Sequence, residues 1–318
     1  MNSPEILVRN YRGELVDEEH CGYLIYANSF DVKEIIGQDD NYPYFLRSCA
    51  KPLQASLIVD YNLDKSFDLT EEEIAICIAS HAGEIVHENL VKSILEKIGL
   101  NESYLKCGIH SPLSKTRWRQ MLAEGLVPGQ VHNNCSGKHA MMLALCVQNG
   151  WDLKTYDDIN HPLQQKIMLK VNELCEVSNK YPIAKDGCGV PIFSMPLKNM
   201  LKGYLNLFLH SKYSLITNVM LNHPYLIGGE DRTDTKVIEH SKNIVCKTGA
   251  GGLFIVVDVE HKDGFIVKIS DCDMKAREAV VAGYLKKLNR ANIPFDWDVK
   301  NGHGEIIGKI RTVFDKNF

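Results

Sequence analysis

The chain has 318 residues, 45% hydrophobic and 24% charged, enough to bury a full core in one large or two moderate domains. Its net charge of -4 and pI near 6.3, with no block of like charge longer than Glu71-Glu72-Glu73, leave no electrostatic footprint for nucleic acid or membrane, so a small-molecule substrate is expected. No segment reaches the roughly 18 consecutive apolar residues of a membrane helix, and the first ten residues lack a basic stretch followed by an apolar one; a cytoplasmic protein is expected.

In chain order, Ile6-Leu7-Val8 and Tyr23-Leu24-Ile25-Tyr26 flank the turn-prone Tyr11-Arg12-Gly13, as in a hairpin. After Ser48 the pattern becomes helical, with Leu53, Leu57 and Ile58 on one face, and Thr70-Glu71-Glu72-Glu73 reads as a capping box before the next helix. Further helices are expected over 86–98, 115–124, 138–149, 162–178 and 194–209. The strands Leu253–Val257 and Phe265–Ile269 flank the turn Lys262-Asp263-Gly264, and a helix should run from Met274 to about Leu288. Strands at both ends around a helical middle give an α+β fold: one antiparallel sheet from about 1–30 and 245–290, and a mainly helical lobe over about 48–240. No repeat or low-complexity linker divides the chain, so residues 1–318 are expected to act as a single catalytic unit.

Ser48 and Lys51 are three residues apart, so at the start of a helix their side chains share a face. A serine hydroxyl is inert at neutral pH, and a lysine whose pKa is lowered by burial or a neighbouring cation such as Arg47 could take its proton. Ser-x-x-Lys alone also fits a solvated helix start. Lys247-Thr248-Gly249, ahead of the C-terminal strands and helix, completes an order shared with penicillin-recognising enzymes, although by itself it fits an ordinary turn.

Ser80 and His81 end the capped helix, as structural caps or as a second hydroxyl and a substrate contact. Cys135 precedes an apolar helix, where a thiol pKa falls, and is a candidate ligand or nucleophile. The turn Asp186-Gly187-Cys188-Gly189 could bring a second thiol and a carboxylate to it, a set that suits zinc, yet the two cysteines lack metal-knuckle spacing and two unrelated turns fit as well. The ten cysteines are dispersed without C-x-x-C and read mostly as small buried hydrophobes. Lys268 interrupts an apolar strand on the face shared by Ile266 and Ser270, an exposed lysine or a second base.

Together these blocks resemble the bacterial L-asparaginase II family, the rhizobial-type asparaginases, from about Val8 to Lys286. The resemblance rests on Leu46–Gln54, Ala79–Glu84 with His87, Cys107–Pro112, Asn134–His139, His161–Gln164, Asp186–Pro191 and Lys247–Ala250. It implies a serine β-lactamase-like fold, a homodimer, and hydrolysis of L-asparagine to L-aspartate and ammonia. It also implies two Ser-Lys pairs, Ser48 with Lys51 and Ser80 with Lys268, with Ser48 the nucleophile, and a Zn2+ site on Cys135, Lys138 and Cys188 with Asp186 beside it. Arg47 and Lys247 are expected to meet the substrate's α-carboxylate and Asp186 its α-ammonium. Departures from the family pattern are Asp17-Glu18 before His20, Gly251, and Cys272 after Asp271. The alternatives are a glutaminase, penicillin-hydrolysing enzyme or other serine amidohydrolase of the same fold, an enzyme with Cys135 as nucleophile, and a zinc-binding protein without catalysis.

Overall fold

The computed structural model describes residues 3–38, 41–316 and 318, so residues 1 and 2 of the expected sheet region lie outside the described residues. Its strands are β1 Glu5–Arg12, β2 Leu15–Asn28, β3 Val32–Ile36, β4 Tyr44–Phe45, β5 Ile183–Lys185, β6 Pro191–Met195, β7 Ile244–Gly249, β8 Leu253–Asp258, β9 Asp263–Ile269, β10 Asp298–Lys300 and β11 Ile306–Thr312. The helices are α1 Ala50–Asp60, α2 Leu63–Ser66, α3 Glu71–Ile78, α4 Ile85–Lys97, α5 Lys115–Ala123, α6 Ser136–Asn149, α7 Pro162–Leu174, α8 Leu197–Phe208, α9 Ser214–Asn222, α10 Pro224–Ile227, α11 Thr233–Glu239 and α12 Met274–Lys287.

The main sheet runs β10-β11-β1-β2-β9-β8-β7, antiparallel throughout, with β3 also on β2. It is built from both chain ends and encloses the helical middle, the expected α+β architecture. Alternation sorts its side chains by face. Tyr23, Ile25, Val245, Ile255 and Ile266 pack into the helical lobe, while Leu24, Cys246, Phe254, Val256, Phe265 and Val267 pack with Val280 and Tyr284 of α12 on the other face.

The expected hairpin is present but longer, because β2 continues back to Leu15 through a polar, exposed stretch. Ladder bonds to β1 and the ion pairs Arg9–Glu19 at 2.9 Å and Arg12–Asp17 at 2.7 Å hold that stretch, so it carries no apolar alternation to read. The sheet also reaches beyond the expected 290, through β10 and β11, and Thr312 pairs back onto Val8. Lys247-Thr248-Gly249 is the end of edge strand β7 and not the ordinary turn that it fits by itself.

The capping box forms as expected: the Glu73 N–H donates to Thr70 Oγ1 at 3.3 Å and the Thr70 N–H to Glu73 Oε2 at 2.8 Å. The helix expected over 194–209 starts only at Leu197, because Pro191–Met195 joins a small three-stranded sheet with β4 and β5, and Pro196 separates the two elements. Residues 50–58 of α1 and 136–146 of α6 are buried on every side. These two core helices lead from the polar residues that matter most here.

Candidate active site

Ser48 lies in a 3-10 turn, Arg47–Cys49, that runs into α1. Arg47 has φ 48, a left-handed conformation that costs a non-glycine residue on the order of 1 kcal/mol or more. Neighbours enforce it. The Leu46 N–H donates to Phe193 O at 3.1 Å, Tyr204 Oη donates to Cys49 O at 2.7 Å, and Cys49 Sγ donates to Lys247 O at 3.2 Å. The turn therefore presses against β7, and a Cβ on Gly249 would stand 2.9 Å from Cys49 Sγ, which accounts for the glycine of the Lys-Thr-Gly motif.

Lys51 is 1% exposed and does not hydrogen-bond Ser48. Its Nζ lies 2.6 Å from Ala79 O, 2.8 Å from Asn134 O and 3.0 Å from Ser80 Oγ. Burial pushes its pKa down to about 8; the Cys135 sulfur opposes this, and the Lys138 and Lys247 charges add to it. A neutral amine has two hydrogens and one lone pair. With both hydrogens donated to the carbonyls, the lone pair accepts the Ser80 hydroxyl hydrogen, the arrangement a general base needs. Same-face spacing thus brings Lys51 to the right region, but its partner comes from the end of α3.

Ser48 and Ser80 line one cavity of about 380 Å³ against the β7 edge, together with Asn134, Arg232, Thr248–Gly252, Cys272, Arg277 and Glu278. Lys268 does lie on the inner face with Ile266, but its Nζ donates to Ile269 O at 2.7 Å and stands 5.7 Å from the Tyr44 ring centroid. Among the described residues it makes no bond to Ser80, so the expected Ser80–Lys268 pair is not formed and Ser80 sits on Lys51 instead. Burial lowers the Lys268 pKa, against the pull of Cys272 and Asp271.

The residues expected to meet substrate charges have internal partners. Arg47 Nε donates to Asp186 Oδ1 at 2.9 Å. Lys247, 0% exposed, faces Asp234 Oδ2 at 3.4 Å and does not line the cavity. Its strand points it inward, with Val245, beneath the turn that carries Ser48.

His81 is structural. The Gly83 N–H donates to its Nδ1 at 3.1 Å, leaving Nε2–H to donate to Ser136 Oγ at 2.9 Å, and burial holds its pKa well below 6.5. Behind the cavity, Lys138 Nζ donates to Cys188 Sγ at 3.0 Å, Cys188 Sγ is 3.9 Å from Asp186 Oδ2, and a Cys188–Cys135 hydrogen bond holds the Cys135 thiol well below its ordinary pKa. The expected set of Cys135, Lys138 and Cys188 is thus brought together from 53 positions apart. Among the described residues, no three or more His, Cys, Asp or Glu side chains group as a metal site.

Sequence reasoning assigned no role to Arg277, Glu278, Arg232 or Asp234, and took Thr248 only as part of the Lys-Thr-Gly motif. One signal was present: Arg277 falls on the apolar stripe of its helix with Val280, Val281 and Tyr284, at spacings of three, four and seven.

The L-asparaginase II family profile matches residues 8–312. The chain belongs to the L-asparaginase II family. Among curated proteins none matches the sequence. Solved structures similar to this family member include a beta-lactamase from Mycobacterium bovis, at 12% identity and TM-score 0.44, covering 84% of this chain and 94% of that one. A proposed beta-lactamase from Bacteroides dorei is similar at 10% identity and TM-score 0.42, covering 78% of this chain and 84% of that one. Membership makes the chain an asparaginase-type amidohydrolase acting on a small molecule, and no helix among the described residues is long and apolar enough to cross a membrane.

Proposed function

We propose that the protein is an L-asparaginase that hydrolyses L-asparagine to L-aspartate and ammonia through an ester on Ser48. The observation that carries this reading is the Lys51 amine, held by two carbonyls and by Ser80 Oγ at 3.0 Å in a cavity that Ser48 also lines. Ser48 Oγ attacks the side-chain amide carbon, and its proton passes by way of Ser80 to the neutral Lys51 amine. The first N–H groups of a helical turn have no acceptor within it, and the Ser48 N–H at this position is the donor suited to the oxyanion. Lys51 returns the proton through Ser80 to the leaving nitrogen, the C–N bond breaks, and ammonia departs. Water, deprotonated by the same relay, then attacks the ester, and the proton returns to Ser48 as L-aspartate leaves. Lys268, expected in this relay, donates to Ile269 O and takes no step in it.

The sulfur pocket is where Zn2+ belongs in this reading. Two thiols, an amine and a nearby carboxylate match the sulfur, nitrogen and oxygen preference of zinc, and Cys135, Lys138 and Cys188 would hold it with Asp186 adjacent. Bound there, the metal would supply a fixed positive charge behind the cavity. Lys138 must lose a proton to ligate it. The reading further includes one catalytic unit over residues 1–318, a cytoplasmic location and a homodimer, the last checked by light scattering in solution.

Ammonia release from L-asparagine and L-glutamine, measured on wild type, S48A, S80A and C135S, tests the proposal. The expected result is turnover of L-asparagine by wild type and C135S, none by S48A, and a quenched acyl adduct on the peptide holding Ser48. An adduct on Ser80 moves the nucleophile there. Activity that survives S48A and is destroyed by alkylating Cys135 supports the thiol mechanism, and L-glutamine turnover alone makes the protein a glutaminase. No ammonia from either amide leaves a binding protein.

A further inference from the structure

The cavity contains buried donors with no acceptor among the described residues. Arg277 is 5% exposed, yet among the described residues its Nε has no partner and its one hydrogen bond runs from Nη1 to Gly249 O at 3.3 Å. Its guanidinium carbon lies 5.9 Å from the Phe254 ring centroid, which fixes the plane of the fork. Thr248 Oγ1 is likewise buried without a partner. The nearest buried carboxylate, Asp234, is engaged elsewhere: its Oδ1 accepts the Thr248 N–H at 2.5 Å and its Oδ2 faces Lys247 at 3.4 Å. Among the described residues Arg277 forms no direct ion pair: Asp234 and Glu278 act on its charge only through space and do not offset the burial, so an anion in contact with the fork would stabilise it. Arg277 and Thr248 line the same cavity as Ser48, with Arg232 beside them.

The same cavity contains negative charge at Glu278, one residue beyond Arg277, whose carboxylate accepts the Thr233 hydroxyl. Cation fork, free hydroxyl and fixed carboxylate on one wall form a complementary pair of charges. A zwitterionic α-amino acid head matches that pair. Resting on the asparaginase reading, we propose that Arg277 with Thr248 binds the substrate's α-carboxylate and Glu278 its α-ammonium, so the cavity selects free α-amino acid amides and rejects amides lacking either charge. These are specificity residues: they set where the side-chain amide lies relative to Ser48 and take no part in proton transfer. The ordered fork of arginine matters here, because it offers a planar carboxylate two parallel donors where lysine offers a point charge.

The test compares L-asparagine with 3-aminopropanamide, which lacks the α-carboxylate, and with succinamate, which lacks the α-ammonium. Wild type should favour L-asparagine over each by about 10³-fold or more in kcat/KM, as a site built around a polar group rejects analogues without it. In R277Q the ratio of L-asparagine to 3-aminopropanamide should fall by at least about 10²-fold, mainly through KM. R277K should recover only part of it. E278Q should shrink the ratio to succinamate and leave the ratio to 3-aminopropanamide largely in place. Calorimetric binding of L-aspartate needs no turnover: wild type should bind it, and R277Q and the near-isosteric T248V should bind it at least tenfold more weakly. Equal loss on all three amides in R277Q, absence of L-aspartate binding by wild type, or wild-type binding by R277Q and T248V would overturn the proposal. Should wild type bind L-aspartate through Arg277 but release no ammonia, the asparaginase reading fails while this subsite stands.

Discussion

Lys51 and Lys138 are both almost wholly buried, 1% and 3% exposed, and their surroundings push their proton affinities in opposite directions. Lys51 meets two carbonyls and a hydroxyl, all neutral, so burial dominates and its pKa drops to about 8. At Lys138 burial also disfavours the charge, but the sulfurs of Cys188 and Cys135 and the Asp186 carboxylate outweigh it and hold the ammonium above its ordinary value. Neutral dipoles around a buried amine make a base; anions around it make an ion pair. Two lysines of equal burial therefore divide into a group suited to move a proton and one suited to hold sulfur or metal.

The largest expected effects break that division. Lys51→Met should cut kcat for L-asparagine by about 10²–10⁴-fold, the usual weight of a general base, whereas Lys138→Met should change kcat by less than about tenfold. Equal losses would erase the distinction. The pH profile sharpens it: Lys51 acts as its neutral form, so kcat/KM should climb with pH and level off above about 8, and that limb should vanish in Lys51→Met.

Stability should follow the same group. Between its ordinary 10.5 and about 8, the folded protein binds fewer protons at Lys51 than the unfolded chain does, so stability falls as pH drops through this window. The loss is on the order of 3 kcal/mol. Chemical denaturation at pH 7 and pH 10 should show Lys51→Met losing that slope, and an unchanged slope would mean the amine is not the buried base described here.

At the sulfur pocket, metal analysis of the purified protein should find zinc in wild type and none in Cys188→Ser. Chelation should lower the melting temperature by about 2–3 °C, an effect of one to two kcal/mol at this size. Smallest and farthest from both lysines, Thr70→Ala should remove one arm of the capping box and cost about 1 kcal/mol without altering KM, which separates general stability loss from effects on the site.

Much of this was legible in the chain. The capping box, α4, α5 and α12 follow directly from cap chemistry and apolar periodicity, and the strands β8 and β9 from their apolar runs. What escaped has physical reasons. The first half of β2 is exposed on both faces and held by its ladder, β10 is three residues long, and α11 is a short helix with a buried Asp234 in its first turn. Residue types and spacing also picked out Ser48, Lys51, Ser80, Cys135 and Cys188 as candidates, and the family resemblance added Lys138.

What the sequence determined by itself is that set, the α+β order of elements, and membership of the L-asparaginase II family. Partnership was decided only in three dimensions. Local spacing pairs Lys51 with Ser48, yet the amine turns to Ser80 because α3 ends beside it and supplies the Ala79 carbonyl. Lys247 is a plausible substrate cation until strand alternation turns it beneath the Ser48 turn, and Arg277 passes for an ordinary helix residue until α12 lays it beside the edge strand with its Nε unpartnered. Hydrogen bonds and ion pairs act over a few ångströms, and which groups come within that reach is set by packing, which spacing along the chain does not encode.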